Sequence, residues 1–178
     1  MAKNSSAKVI TPVGRLAFQS LFTPSVNKLN PSAPAKFETI IVFDKDADLS
    51  KIEAIMEEAI QAKFGGNAPE GLYNPLRDAS EKSKFGEPFT SGGKMIKVKS
   101  NFAPGIINLQ REPILDPSEI YPGVLARLQI HAYAYDNATS GVGFGLDNVQ
   151  KVKDGPAADG RTDAASAFGD DLDVDDLL

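Results

Sequence analysis

Asp44, Asp46 and Asp48 stand at alternate positions, the opening spacing of a loop that wraps carboxylate oxygens around calcium. Such a loop needs glycine at its sixth position and a bidentate glutamate at its twelfth, and the chain has Leu49 and Ile55 there. The three acids therefore read as charges at the start of a helix, where the N-terminal dipole favours them. Gly141, Gly143 and Gly145 have the density of a dinucleotide-binding loop, but that loop must lead from a strand into a helix N-terminus, and strand-like Asp147 to Val152 follows. His131 is the sole histidine and has no serine or cysteine in a nucleophile elbow, so it reads as a packing or surface residue on a strand. With no Cys, a thiol nucleophile, a zinc finger and an iron–sulfur cluster are excluded. No catalytic residue, metal or cofactor is expected, and the chemistry to look for is binding.

The charges point the same way. From Lys82 to Arg111 six bases (Lys82, Lys84, Lys94, Lys97, Lys99, Arg111) face Glu87 alone, a candidate anion-binding stretch whose plainer reading is a solvated surface. The chain as a whole has 19 Lys plus Arg against 24 Asp plus Glu, but five of the acids lie in the last nine residues: Asp170, Asp171, Asp173, Asp175 and Asp176. The body is neutral and the net charge of −5 belongs to the tail. An acidic strand beside a basic face can compete for that face when it is empty. Leu172, Val174, Leu177 and Leu178 make the tail more apolar than solvation requires, which suits a docking peptide better than a solubilising end.

The elements that must hold these residues follow from period and punctuation. Val9 to Phe22, broken by Pro12 and Gly14, predicts an edge strand with a bulge, and Ala35 to Phe43 a second strand. Over Asp48 to Phe64 the period changes: Ile52, Ile55, Met56, Ala59 and Ile60 recur at three and four, Ser50 and Glu53 have capping-box spacing, and Gly65-Gly66 ends the helix. Asn67 to Gly93 has no sustained period and predicts one long mobile loop carrying Tyr73, Phe85 and Phe89. Lys94 to Asn101 predicts a strand with Ile96 and Val98 inward and Met95, Lys97 and Lys99 outward. Val124 to Tyr135 alternates for twelve residues. One face is Val124, Ala126, Leu128, Ile130, Ala132 and Ala134, and the other carries Leu125, Arg127, Gln129, His131, Tyr133 and Tyr135. That second face mixes cation and ring and is the expected binding face, with ordinary cross-strand pairing as the alternative. A register slip of one residue would turn the tyrosines into the core. Gly141 to Val152 predicts a further strand, with glycines allowing close approach or a bend.

At 178 residues and 42% hydrophobic, the chain is large enough for one unstapled core with appended loops. The N-terminus has no apolar signal region, and the longest strongly apolar run, Ile40 to Phe43, is far too short to cross a membrane. A soluble, cytoplasmic protein is expected, so Asn4-Ser5-Ser6 and Asn137-Ala138-Thr139 are chance matches to a glycosylation tripeptide. The expected fold is mainly β with one helix (α+β), an OB-fold-like five-stranded barrel with long loops and a disordered acidic tail. A basic strand and loop with outward rings suits single-stranded nucleic acid: phosphates need cations along a groove, and unstacked bases need aromatic platforms.

Particular residues extend this. Thr11-Pro12-Val13-Gly14-Arg15-Leu16, Lys36-Phe37 with Phe43-Asp44-Lys45-Asp46, Ile120-Tyr121-Pro122-Gly123, the run Gly141 to Val152, Gly160-Arg161 and Phe168 together span most of the chain. In these the sequence resembles the bacteriophage single-stranded DNA-binding proteins, with an OB-fold core and an acidic C-terminal tail. The resemblance implies a non-catalytic protein that coats single-stranded DNA in replication or recombination, in the cytoplasm of the infected bacterial host. It implies that phage replication or recombination proteins are recruited through the tail, with a homodimer as an option and no membrane partner. Tails of this kind often end in Phe, whereas this one ends in Leu177-Leu178. On this resemblance Lys94, Lys97, Lys99, Arg111 and Arg127 would neutralise phosphates. Tyr121, Tyr133, Tyr135 and one of Phe85, Phe89 or Phe102 would stack on bases.

The domain reading is a disordered end over 1–8, the binding domain over 9–153, a linker or short helix over 154–169 and the tail over 170–178. The competing reading is a protein-interaction or virion-associated module regulated by the tail. An OB-fold nuclease or ligase fragment, dependent on Asp44 or Asp46, is a third. Salt separates the first two, because counterion release weakens polyanion binding steeply and an apolar interface hardly at all.

Overall fold

The computed structural model describes residues 7–158. Eight strands and one α-helix follow in the order β1 (Lys8–Ile10), β2 (Gly14–Ser25), β3 (Lys36–Val42), α1 (Ser50–Phe64), β4 (Arg77–Asp78), β5 (Lys94–Ser100), β6 (Gly105–Ile107), β7 (Leu125–Asp136) and β8 (Ser140–Lys153). Two 3₁₀ turns lie over Ala79–Phe85 and Pro117–Glu119. Strands β2, β3, β5, β8 and β7 pair in that order, and β7 returns to β2, so five strands close a barrel. This is the expected OB-like arrangement; β1, β4 and β6 are short additions on β7, β5 and β8.

The alternation of β7 determines the interior. Val124, Ala126, Leu128, Ile130 and Ala132 are buried, and they meet Val142, Phe144, Leu146 and Val149 of β8 and Leu16, Ile41, Ile96 and Val98 of the other walls. Burying each of these larger side chains is worth about 1.5–3 kcal/mol. α1 buries Ile52 and Ile55 in the same cluster and leans Met56, Ala59 and Ile60 on it. The register expected for β7 holds, since Tyr133 pairs with Gly143 and Tyr135 with Gly141, both tyrosines on the outer face.

Four expectations change. The stretch Val9 to Phe22 is not one edge strand: β1 and β2 are separate, and β2 lies inside the barrel between β7 and β3. Thr11 bridges the break, its N–H donating to Leu128 O at 2.9 Å and its Oγ1 accepting from Leu128 N at 3.0 Å, which carries the ladder past Pro12. The Ser50–Glu53 capping box does not form. Ser50 is already helical, the cap position is Leu49, and Asp48 Oδ1 accepts from Ser50 N at 3.0 Å. Residues 67–93 are not one free loop. Tyr73 N donates to Ser140 O and Val142 N to Tyr73 O, β4 pairs with β5, and Ala79 N donates to Gly93 O. Lastly, Lys8 pairs with His131, so the ordered chain reaches into the 1–8 segment. The expected tail, 170–178, and most of the expected linker lie outside the described residues.

Candidate nucleic-acid interface

The outer face of β3, β5, β8 and β7 forms an open cleft of about 420 Å³. Its floor is Ile40, Met95, Phe144 and Gly143; Lys97 and Lys99 rise from β5, Tyr133 and Tyr135 from β7, and Tyr73, Arg77 and Lys82 come from the stapled segment before β5. Register explains the alignment. Tyr133 pairs with Gly143, Val98 beside Lys97 pairs with Phe144 beside Gly143, Lys97 pairs with Ile40, and Ile40 pairs with Ala17. One row of outward side chains therefore crosses the barrel at right angles to its strands.

The glycines of β8 serve this row. A Cβ on Gly143 would stand 2.6 Å from the Tyr133 ring, one on Gly141 2.7 Å from Tyr135 Oη, and one on Gly145 2.2 Å from the His131 ring. Side chains at these positions would lift the rings, so three alternate glycines let three rings from β7 lie down across β8. Tyr133 and Tyr135 sit with centroids 6.5 Å apart and planes at 48°. Tyr133 is 43% exposed. Burial of its phenol, and then the neighbouring Tyr135, push its pKa above the usual tyrosine value, so the ring stays neutral beside any phosphate.

The cations differ in how they are held. Arg77 is gripped by Glu81 through Nη2 at 2.7 Å and Nε at 3.1 Å, with its guanidinium 5.7 Å from the Tyr73 ring centre. Lys97 Nζ lies 3.5 Å from Glu38, which leaves it only loosely paired. Among the described residues Lys99 and Lys82 have no carboxylate partner. Lys94, expected at the site, is instead tied to Asp78 at 2.8 Å, and that bond holds the Asp78 carboxyl below its ordinary value. His131 Nδ1 and Lys8 Nζ both meet Asp147, at 2.9 and 3.2 Å, on the flank of the same face.

The other expected residues scatter. Phe89 is 2% exposed within a small second core of Ala17, Ile40, Val42, Ala79 and Met95, and burial keeps it from any base. Tyr121 is a brace: its hydroxyl donates toward Asp154 and Gly155 O and accepts from Gly155 N, each at 3.0 Å. Arg127 donates to Gln150 Oε1 at 2.7 Å over a smaller hollow with Gln129 and Asn148, outside the cleft. Arg111 occupies a turn with φ 64°, also outside the cleft lining. Phe85 is 48% exposed, and Phe102 is 81% exposed beyond the end of β5. Tail residues Asp170 to Leu178 lie outside the described residues. Tyr73 and Arg77 were not among the expected site residues, and Lys82 was expected only as part of the basic stretch, because their placement depends on Tyr73 bridging to Gly141, a pairing without local signature.

Among the described residues no three His, Cys, Asp or Glu side chains converge as a metal site, and no helix is long and apolar enough to cross a membrane. The arrangement offers cations at the walls, Lys82 and Lys99 without a carboxylate partner among the described residues, and neutral rings at one end. That is chemistry for a flexible polyanion whose monomers have flat apolar faces.

Known proteins bear on this cleft. A family model described as Enterobacter phage Enc34, ssDNA-binding protein, matches residues 7–178. Among solved structures, the single-stranded DNA-binding protein from bacteriophage Enc34 in complex with ssDNA superposes with TM-score 0.67 at 20% identity, covering 84% of this chain and 88% of that one. The gp2.5 protein of bacteriophage T7, a single-stranded DNA binding protein, superposes with TM-score 0.61 at 16% identity over 97% and 99% of the two chains. At such identities these likenesses establish a shared fold. No curated protein matches the chain.

Proposed function

The chain belongs to the family of the Enterobacter phage Enc34 ssDNA-binding protein, and from that premise we propose that it binds single-stranded DNA in the cleft, with little regard to sequence and without catalysis. The observation that carries the reading is the row Tyr133, Gly143, Lys97, Ile40, in which a neutral ring lies over glycine beside the loosely paired Lys97 and, one step along β5, Lys99. Phosphates would meet Lys82, Lys97 and Lys99, with Arg77 exchanging Glu81 for a phosphate. Bases would stack on Tyr133 and Tyr135, and the cleft takes in β3 and β5, the barrel's second and third strands, whose face OB barrels use for oligonucleotides. Lys94, Arg111 and Arg127 would act as outlying charges that steer the strand, and Phe102 as a contact beyond the end of β5. Among the described residues the cleft lining has no Asn or Gln to read a base edge, which suits sequence-neutral coating of phage DNA during replication or recombination in the host cytoplasm.

The acidic tail is assigned the role of a competitor and a recruiter. Five Asp with Leu177-Leu178 at the end can occupy the lysines when no DNA is present and engage replication proteins when displaced.

The test is fluorescence anisotropy of labelled oligo-dT and of a duplex at several salt concentrations. Strand-selective binding whose log–log salt slope is several units supports the reading. Absence of binding at low salt, with the tail present or removed, would sink it and favour a protein-interaction module.

A further inference from the structure

Phe18 breaks two rules at once. By strand parity with Gly14 and Leu16 it should point into the barrel, and as a phenylalanine it should avoid a left-handed backbone. Its φ is 48°, and the residue is 50% exposed. The cause is a bulge: Ala17 pairs with Ile40 and Ser20 with Glu38, so β2 spends one extra residue there and the ring is turned outward. The distortion is anchored from inside. Thr39 is 1% exposed, and its Oγ1 donates to Ala17 O at 3.1 Å, at the point where the register shifts.

The outward ring joins a built surface. Phe18 stacks on buried Phe89, centroids 5.8 Å apart and planes at 23°, and meets Phe85 edge-on at 5.1 Å. Lys84 Nζ and Lys82 Nζ lie 5.0 and 5.9 Å from the Phe85 ring centre. This surface is continuous with the cleft, because Lys82, Ile40 and Met95 line the cleft while Ile40 and Met95 share the second core with Phe89. It stands at the opposite end of the row from Tyr133, four strand spacings or about 19 Å away around the barrel. Functional sites are where such strained positions cluster, and this one keeps a half-exposed ring packed on Phe89 beside cations.

Building on the single-stranded DNA reading above, we propose that Phe18, with Phe85, is a second base-stacking platform that receives the far end of a strand anchored at Tyr133 and Tyr135. A strand laid across the row then has rings at both ends and lysines between them, a span in keeping with the several nucleotides an OB fold engages.

The test uses the full-length chain. Oligo-dT with 5-iododeoxyuridine at successive positions is photo-cross-linked and the attached residues are identified by mass spectrometry; cross-links to Phe18 or Phe85 from one end and to Tyr133 or Tyr135 from the other are expected. Phe18→Leu keeps apolar bulk on Phe89 but removes the ring, and Phe18→Gly relieves the backbone; both should weaken oligo-dT binding by roughly 5- to 150-fold, the size of one base stack. Wild-type protein that binds oligo-dT but cross-links only at the tyrosine end, with both variants binding as tightly as wild type, overturns the platform while leaving the binding function standing. No oligo-dT binding by the wild type removes both readings.

Discussion

Tyr133 carries the most direct prediction, because its ring is exposed, neutral and lies over Gly143. Tyr133→Ala should lower affinity for oligo-dT by about 1–3 kcal/mol, measured by anisotropy, while the fold survives, since the ring lies outside the core. Gly143→Ala tests the same contact from below: a Cβ 2.6 Å from the ring must tilt it, so affinity should fall although position 143 contributes no contact of its own. Acidic side chains predict a pH dependence. Lys94 lowers the carboxyl pKa of Asp78, the hydroxyls of Ser91 and Thr90 that of Glu87, and Lys151, then Tyr121, that of Asp154. A lowered folded-state value means that the stabilisation is complete above the ordinary carboxyl range, near 3.8 for aspartate, and is lost as pH falls through the folded values. The thermal midpoint should therefore hold from neutrality toward that range and fall below it. Asp154→Asn should make this acid-side fall shallower; an unchanged profile would show that the Tyr121 brace contributes nothing through its charge.

At the scale of elements, β1 and β2 show how a strand is continued across a proline. Thr11 supplies both halves of a ladder bond to Leu128, so Thr11→Val leaves the Leu128 N–H buried without an acceptor. A loss of about 1–3 kcal/mol is expected in denaturant unfolding, with the slope of the transition unchanged. β5 makes a different kind of prediction, because its alternation sends Ile96 and Val98 inward and Lys97 and Lys99 into the cleft. Lys99→Gln should weaken binding equally across strand sequences and reduce the log–log salt slope by about 0.7, the share of one phosphate on a single strand. Lys94→Gln, whose ammonium is already held by Asp78, should change that slope less. The segment between α1 and β5 shows the limit of local reading. Its sequence has no period, yet Tyr73 ties it to β8, β4 to β5, and Ala79 closes it on its own end at Gly93; those ties bring Arg77 and Lys82 to the cleft.

For the whole molecule, removing residues 170–178 should leave the thermal midpoint unchanged and tighten binding to oligo-dT at low salt, because the competing carboxylates are gone; equal affinities would remove the competitor role from the tail. The helix and the outward face of β7 were legible from the chain alone, for a physical reason: a period of two or of 3.6 is written by each residue's own relation to the core. The same period placed Lys97 and Lys99 of β5 and Tyr133 and Tyr135 of β7 on outward faces. The barrel was expected from the binding chemistry and the family resemblance, and its closure through β2, expected at an edge, was decided by pairing with β7. Tertiary structure alone decided how the faces meet. It showed that Phe89 is buried, that Tyr121 braces Asp154 and Gly155, and that Lys94 is occupied by Asp78. It also turned Phe18 outward. The opposite parities of Leu16 and Leu21, both buried, are the trace of that bulge in the sequence, but its position is set by the register against β3 and by the hydroxyl of Thr39. Local pattern tells a residue which side of its own strand it occupies; only the pairing of distant strands determines what stands opposite it, and a binding row is made of such opposites.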